Sequence, residues 1–120
     1  MYTQKSQNYK YKNVPTEYGG AKYHSKKESI KAWELDMLVK AKEIKSWEKQ
    51  AKIELYGVNG TKICNYFCDF LVHHNDGTKE YIEIKSPITA TPVWKLKWNL
   101  TEDLFKYEIS RGEIKLTVEY

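Results

Sequence analysis

The stretch that decides the fold is Asp69 to Lys85, DFLVHHNDGTKEYIEIK. Asn75-Asp76-Gly77 is a tight hairpin turn signal between two apolar runs. The run before it, Ile63 to His74, is aromatic and apolar, with Tyr66, Phe67, Phe70, Leu71 and Val72. The run after it, Glu80 to Lys85, alternates as a strand does. Asp69 and Glu83 each lie seven residues from Asp76, so the hairpin sets them roughly opposite one another. Lys85 follows Glu83 by two positions and shares its face. A carboxylate in an apolar strand is costly unless it is paired, hydrogen-bonded or metal-bound, and two facing carboxylates repel. Something positive is expected between them. Mg²⁺ suits, because it takes hard oxygen ligands and is held by one or two carboxylates plus water. Lys85 beside such a site can orient a water nucleophile or stabilise charge on phosphate. The plain reading is also open: Asp69 and Glu83 as a pair satisfied by Lys85 and Lys49, with no metal.

Working outward, Ser25-Lys26-Lys27-Glu28 has the form of a capping box, in which the Ser25 hydroxyl accepts from the Glu28 backbone N–H. Ile30, Trp33, Met37, Leu38 and Ala41 then recur at helical spacing, and the helix should run from about Lys26 to about Lys42. Trp47 to Tyr56 alternates Ala51, Ile53 and Leu55 against Lys52 and Glu54 as a strand, and residues 57–60 turn the chain. Beyond the hairpin, Thr91-Pro92 reads as an N-cap with Pro at the first helical position. Val93, Leu96, Leu100, Leu104 and Tyr107 give this second helix one apolar face, expected to lie on the sheet. Trp94, Trp98 and Phe105 form a second, aromatic row, and a helix apolar on two sides suggests a homodimer contact there. Ile114 to Tyr120 alternates as a last strand. The element order is α-β-β-β-α-β, an α/β layered domain.

The length of 120 residues bounds the chain to one domain, read as 23–120, preceded by an irregular arm over 1–22 rich in Tyr, Lys, Gln and Asn. No apolar run approaches a membrane span, and Met1 to Lys12 is too polar for a secretory signal, so a cytoplasmic protein is expected. The formal net charge of +4 divides unevenly. Met1 to Lys27 carries six lysines against Glu17, whereas the remaining residues carry 14 basic and 15 acidic groups. A basic leading segment on a near-neutral body suits a polyanion partner, and equally a solubilising tail. Cys64 and Cys68, the only cysteines, share one strand face too far apart for an easy disulfide, and read as two buried thiols in a reducing compartment. His73 and His74 are neighbours on a strand, point to opposite faces, and cannot enter one site together.

Asp69, a short hairpin and then Glu83-Ile84-Lys85 resemble the D…(D/E)-x-K signature of the PD-(D/E)xK nuclease superfamily. Ser25-Lys26-Lys27-Glu28, Glu43-Ile44-Lys45 and Gln50 fall in the expected order before it, and the resemblance spans about Lys22 to Tyr107. It is closest to small phage endonucleases and junction resolvases. Cys68 stands where the superfamily name has Pro. The resemblance implies a restriction-endonuclease-like core, a mixed sheet flanked by helices. It implies that Asp69 and Glu83 bind Mg²⁺ or Mn²⁺, that Lys85 positions the attacking water, that Glu28 completes the acidic cluster or hydrogen-bonds a metal water, and that Gln50 joins the site. The implied activity is a metal-dependent endonuclease acting on DNA, of phage or mobile-element type. The lysines expected to track the DNA backbone are Lys22, Lys26 and Lys27, with Lys95 and Lys97 on the second helix. Arg111 is the sole arginine, so guanine readout is scarce and structure-selective cleavage, of branched DNA or by nicking, fits better. The alternative is a non-catalytic module of the same fold that binds nucleic acid or a protein partner.

Overall fold

In the computed structural model of the chain, residues 16–120 are described. The element order is β1 (Thr16–Tyr18), β2 (Ala21–Tyr23), α1 (Lys26–Lys40), β3 (Ser46–Tyr56), β4 (Lys62–His73), β5 (Lys79–Ile84), α2 (Pro92–Leu104), α3 (Lys106–Ser110) and β6 (Ile114–Glu119). The chain divides into two compact units, 1–43 and 44–120.

In the first unit, β1 and β2 pair antiparallel, Thr16 opposite Tyr23 and Tyr18 opposite Ala21. Gly19 and Gly20 make the turn, both at positive φ, a backbone region that glycine enters without a Cβ penalty. An irregular arm was expected to extend to residue 22; its last part is instead this hairpin, because two glycines allow a tight reversal that the loss of helical period conceals. The rest of that arm, 1–15, lies outside the described residues. The α1 helix begins as the capping motif requires: the Glu28 N–H donates to Ser25 Oγ at 3.2 Å. Its buried side is Glu28, Ser29, Ala32 and Leu35, while Ile30, Trp33 and Leu38 are exposed. This reverses the face expected from apolar content. The hairpin contacts the helix through Tyr18, whose hydroxyl donates to Asp36 Oδ2 at 2.5 Å. Asp36 lies one turn on from Ala32, so that contact selects the smaller, mixed stripe.

In the second unit, β3-β4-β5-β6 form one four-stranded sheet. β3/β4 and β4/β5 are antiparallel, and β5/β6 is parallel. The chain is therefore a mixed α/β protein with a mixed sheet. Asp76 Oδ1 accepts from the Thr78 N–H and Oγ1 and closes the hairpin, with Gly77 at φ 91. His73 and His74 go to separate partners, Glu48 and Glu80. The parallel return to β6 requires a crossover, supplied by α2 and α3.

The core of this unit is Ala51, Ile53 and Leu55 of β3, Tyr66, Cys68 and Leu71 of β4, and Tyr81 of β5, covered by Trp94 and Trp98. The aromatic row of α2 thus faces the sheet, while of the aliphatic row Val93, Leu96, Leu104 and Tyr107 are exposed and only Leu100 packs, partly buried, against the core. The two rows exchange the places expected of them: Trp94 and Trp98 lie in the core, not on an outer face. The cause is packing. Trp98 meets Tyr66 edge to face at 6.3 Å, and Phe105 stacks on Tyr81 at 5.5 Å. Each such ring removes more apolar surface from water than a leucine and gains a directional aromatic contact. Cys68 is fully buried, Cys64 only partly, and both are free thiols. Among the described residues no helix is long and apolar enough to cross a membrane.

Candidate active site

Asp69 and Glu83 sit at a fork in the sheet. The β4/β5 ladder runs from His73 opposite Lys79 to Phe70 opposite Ile82 and stops there. The next facing pair is Asp69 and Glu83. β5 stays with β6 through Ile84, and the Lys85 N–H extends that ladder to Glu119 O at 2.8 Å. Where strand-to-strand bonds end, the carboxylates replace them. The Asp69 N–H donates to Glu83 Oε1 at 3.0 Å, and the Ile84 N–H donates to Asp69 Oδ2 at 2.9 Å. Both side chains are buried.

A second irregularity lies on the other side of Asp69. The β3/β4 ladder pairs Lys49 with Phe70 and Ala51 with Cys68, and skips Gln50 opposite Asp69. Gln50 has φ 54, a left-handed conformation that costs a non-glycine residue on the order of 1–3 kcal/mol and collects at functional sites. The core-facing set changes parity here. On β4 it is Tyr66 and Cys68 before Asp69 and Leu71 after it, while Phe70 packs with Trp47. The kink brings the Gln50 amide to Asp69, with Nε2 donating to Oδ1 at 3.3 Å.

Burial, with Glu83 adding repulsion, pushes the Asp69 carboxyl up to about 6. The Ile84 N–H, Lys85 and Gln50 act against that rise. Lys85 Nζ lies 3.3 Å from Glu83 Oε2 and 4.9 Å from the centroid of the Trp94 ring. The Tyr66 hydroxyl accepts from Trp94 Nε1 at 3.0 Å. Burial holds the Tyr66 hydroxyl far above its ordinary range, and Cys68 and the Glu83 charge add to this. Burial likewise keeps the Cys68 thiol protonated, with Glu83 second, so it is no nucleophile. The Cys68 Sγ instead donates to Ile82 O at 3.3 Å.

The structure thus brings together Gln50, Asp69, Glu83 and Lys85 of the expected residues. Glu28 belongs to the first unit, where it is a buried residue of the first turn of α1. Lys22, Lys26 and Lys27 are exposed on that unit, whereas Lys95 is exposed and Lys97 half-buried on α2. Among the described residues, no group of three or more His, Cys, Asp or Glu side chains is gathered for a metal.

Across residues 7–117 the chain matches a family model described as a protein of unknown function (DUF1064). The chain belongs to the DUF1064 family. Neither the curated proteins nor the solved structures contain a match to it. What this DUF1064 chain can do must therefore be read from its own site.

Two carboxylates buried side by side, one raised above its ordinary range by burial first and by the other's charge second, fit a divalent cation. Two carboxylates suffice for Mg²⁺, which keeps several waters and takes substrate phosphate oxygens as the rest of its shell. Tyr66 and Trp94 were not among the expected site residues. Their signal was present as two aromatics with polar handles on core-facing positions, which usually seek a buried partner.

Proposed function

We propose that this DUF1064 chain is a metal-dependent endonuclease that hydrolyses DNA phosphodiester bonds on a restriction-endonuclease-like core. The observation that carries the reading is the fork: Asp69 and Glu83 facing one another, buried, with the Lys85 ammonium 3.3 Å from Glu83. The order α1, β3, β4, β5, α2, β6 supports it, as does the parallel return of β6 beside β5. Asp69 and Glu83 would hold Mg²⁺ or Mn²⁺. When bound, such an ion supplies Lewis-acid stabilisation of phosphate charge and a more acidic water.

The chain's own residues do the rest. Gln50 fixes the orientation of Asp69. The Ile84 and Asp69 backbone N–H groups fix one oxygen of each carboxylate, and an ionised carboxylate has further lone pairs to offer a cation. Lys85 presents an ammonium that can donate to a phosphoryl oxygen or hold the attacking water. Lys95 and Lys97 on α2, and Lys22, Lys26 and Lys27 on the first unit, supply backbone-tracking charge, so binding should weaken steeply with salt. Arg111 is engaged by Glu113 through two hydrogen bonds, at 2.8 and 3.2 Å. That leaves no free arginine for bidentate guanine readout and favours selection by DNA structure, as in nicking or branched-DNA cleavage.

The test is a panel of supercoiled, linear, single-stranded and four-way-junction DNA with Mg²⁺, run beside Asp69→Ala. Cleavage by the wild type and its loss in Asp69→Ala are expected. Full cleavage by Asp69→Ala overturns the reading. One observation favours the second reading, a non-catalytic module of the same fold: the described site offers two carboxylates, and Lys85 already neutralises one of them. Absence of both Mn²⁺ binding and plasmid nicking would decide for it.

A further inference from the structure

Each of the four carboxylate oxygens at the fork already meets a donor of the chain itself. Asp69 Oδ2 accepts from the Ile84 N–H at 2.9 Å, and Glu83 Oε1 accepts from the Asp69 N–H at 3.0 Å. The other two oxygens take side chains. Asp69 Oδ1 accepts from the Gln50 amide at 3.3 Å, and Glu83 Oε2 lies 3.3 Å from the Lys85 ammonium. These contacts differ in kind. The backbone donors are fixed by the strands, whereas the side-chain donors can swing away on their own torsions. Gln50 brings no charge, so Lys85 is the stronger partner of the two. Its side chain is 15% exposed and that of Glu83 4%, so their attraction is screened far less than that of a surface pair. Lys85 thus supplies positive charge to the facing carboxylates at an oxygen that a cation would also use.

We propose that Lys85 is the built-in counter-ion of Glu83 and competes with a divalent cation for Glu83 Oε2, so that its ammonium is freed for substrate phosphate only as the metal site fills. The inference rests on the endonuclease reading and adds to it a coupling between metal binding and the release of Lys85. The freed ammonium keeps a second neighbour in the site, the Trp94 ring, whose centroid is 4.9 Å from Nζ. The sign of one effect separates this role from a plainer one. A lysine that only holds Glu83 in place supports metal binding, and its removal weakens that binding. A lysine seated on the metal's own oxygen opposes binding, by occupying the oxygen and by like charge, and its removal strengthens it.

The experiment measures Mn²⁺ affinity by calorimetry, the melting temperature with and without Mn²⁺, and plasmid nicking, for the wild type, Lys85→Met and Lys85→Arg. The methionine keeps an unbranched apolar stem and removes the charge; the arginine keeps the charge. Lys85→Met should bind Mn²⁺ about 10-fold more tightly or better, the scale of coupling within one charged network, while its nicking falls. Lys85→Arg should stay near the wild type in affinity. Without Mn²⁺, Lys85→Met should melt below the wild type, because Glu83 has lost a buried partner, and it should gain more from added Mn²⁺. In the wild type, a Mg²⁺ titration followed by NMR should move the Lys85 Cε–Hε signal together with the Glu83 carboxyl signal. Equal or weaker Mn²⁺ binding by a folded Lys85→Met variant overturns the inference and leaves the endonuclease reading standing. A Lys85 signal that stays still as Mg²⁺ binds does the same, and this titration decides if Lys85→Met fails to fold. Absence of Mn²⁺ binding in all three proteins, with no nicking, removes the endonuclease reading and this inference with it.

Discussion

The two halves of β4 behave differently. From Lys62 to Cys68 the strand pairs with β3 alone, as a ribbon beyond the end of β5, and from Tyr66 to Cys68 its residues alternate between buried and exposed, with Phe67 half in solvent. From Asp69 to Val72 every residue is buried, and the strand lies between β3 and β5 from Phe70 on. The ribbon half meets ordinary strand requirements. The other half begins with a charged residue in the sheet interior, opposite a second one, beside a left-handed Gln50. Where β5 parts from β4, backbone donors are left without strand partners, and here Asp69 and Glu83 accept them. The candidate site lies where the ladder changes width, because only there can carboxylates enter the interior with hydrogen bonds in place.

The sharpest way to break this contrast is to remove the charges at the fork. Glu83→Ala and Lys85→Ala should each cut the rate of plasmid nicking by roughly 10²–10³-fold, the scale of losing one charge-stabilising group, while far-UV circular dichroism stays native. Retained nicking in either would separate the fork from catalysis.

The next effect is on stability. The Asp69 carboxyl is raised in the folded chain, so the folded state holds its proton more tightly than the unfolded state does. That contribution is fully present below the unfolded value and is lost as pH rises through about 6. Asp69→Asn should therefore stabilise the metal-free chain at pH 7.5, by up to about 3 kcal/mol, and lose that advantage near pH 4. Urea melts at the two pH values check this. An equal difference at both would mean that burial of the charge is not the cause. Mn²⁺ should narrow the gap at pH 7.5 by stabilising the wild type alone.

A smaller effect separates strain from function. Gln50→Gly relieves the left-handed backbone and should raise stability by about 1 kcal/mol. It should also lower nicking, because Asp69 loses its amide partner. A variant both less stable and fully active would break the link between the kink and the site. The smallest effect is expected on the ribbon. Phe67→Ser, on an exposed position, should shift stability by about 0.5 kcal/mol or less and leave nicking unchanged. A large loss there would show that the two halves of β4 are not as distinct as their burial suggests.

Much of this was legible in the chain. Turn chemistry at Asn75-Asp76-Gly77, strand alternation and the two helix caps gave elements whose ends fall within a few residues of those observed, and counting from Asp76 placed Asp69 opposite Glu83. The helix faces were not legible. Apolar content pointed to Ile30, Trp33 and Leu38 on α1 and to Val93, Leu96 and Leu104 on α2, and all six are exposed. Which stripe a helix buries depends on what it meets, and Tyr66 and Tyr81 meet rings better than they meet leucines.

The order of elements, the hairpin register and the facing carboxylates were determined by the sequence itself, because turns, caps and alternation are local and act over a few residues. The kink at Gln50, the end of the β4/β5 ladder and the sharing of Trp94 between Lys85 and Tyr66 were decided only by the tertiary structure. Each joins residues far apart in the chain, and no local preference encodes a contact whose two partners are fixed by different elements.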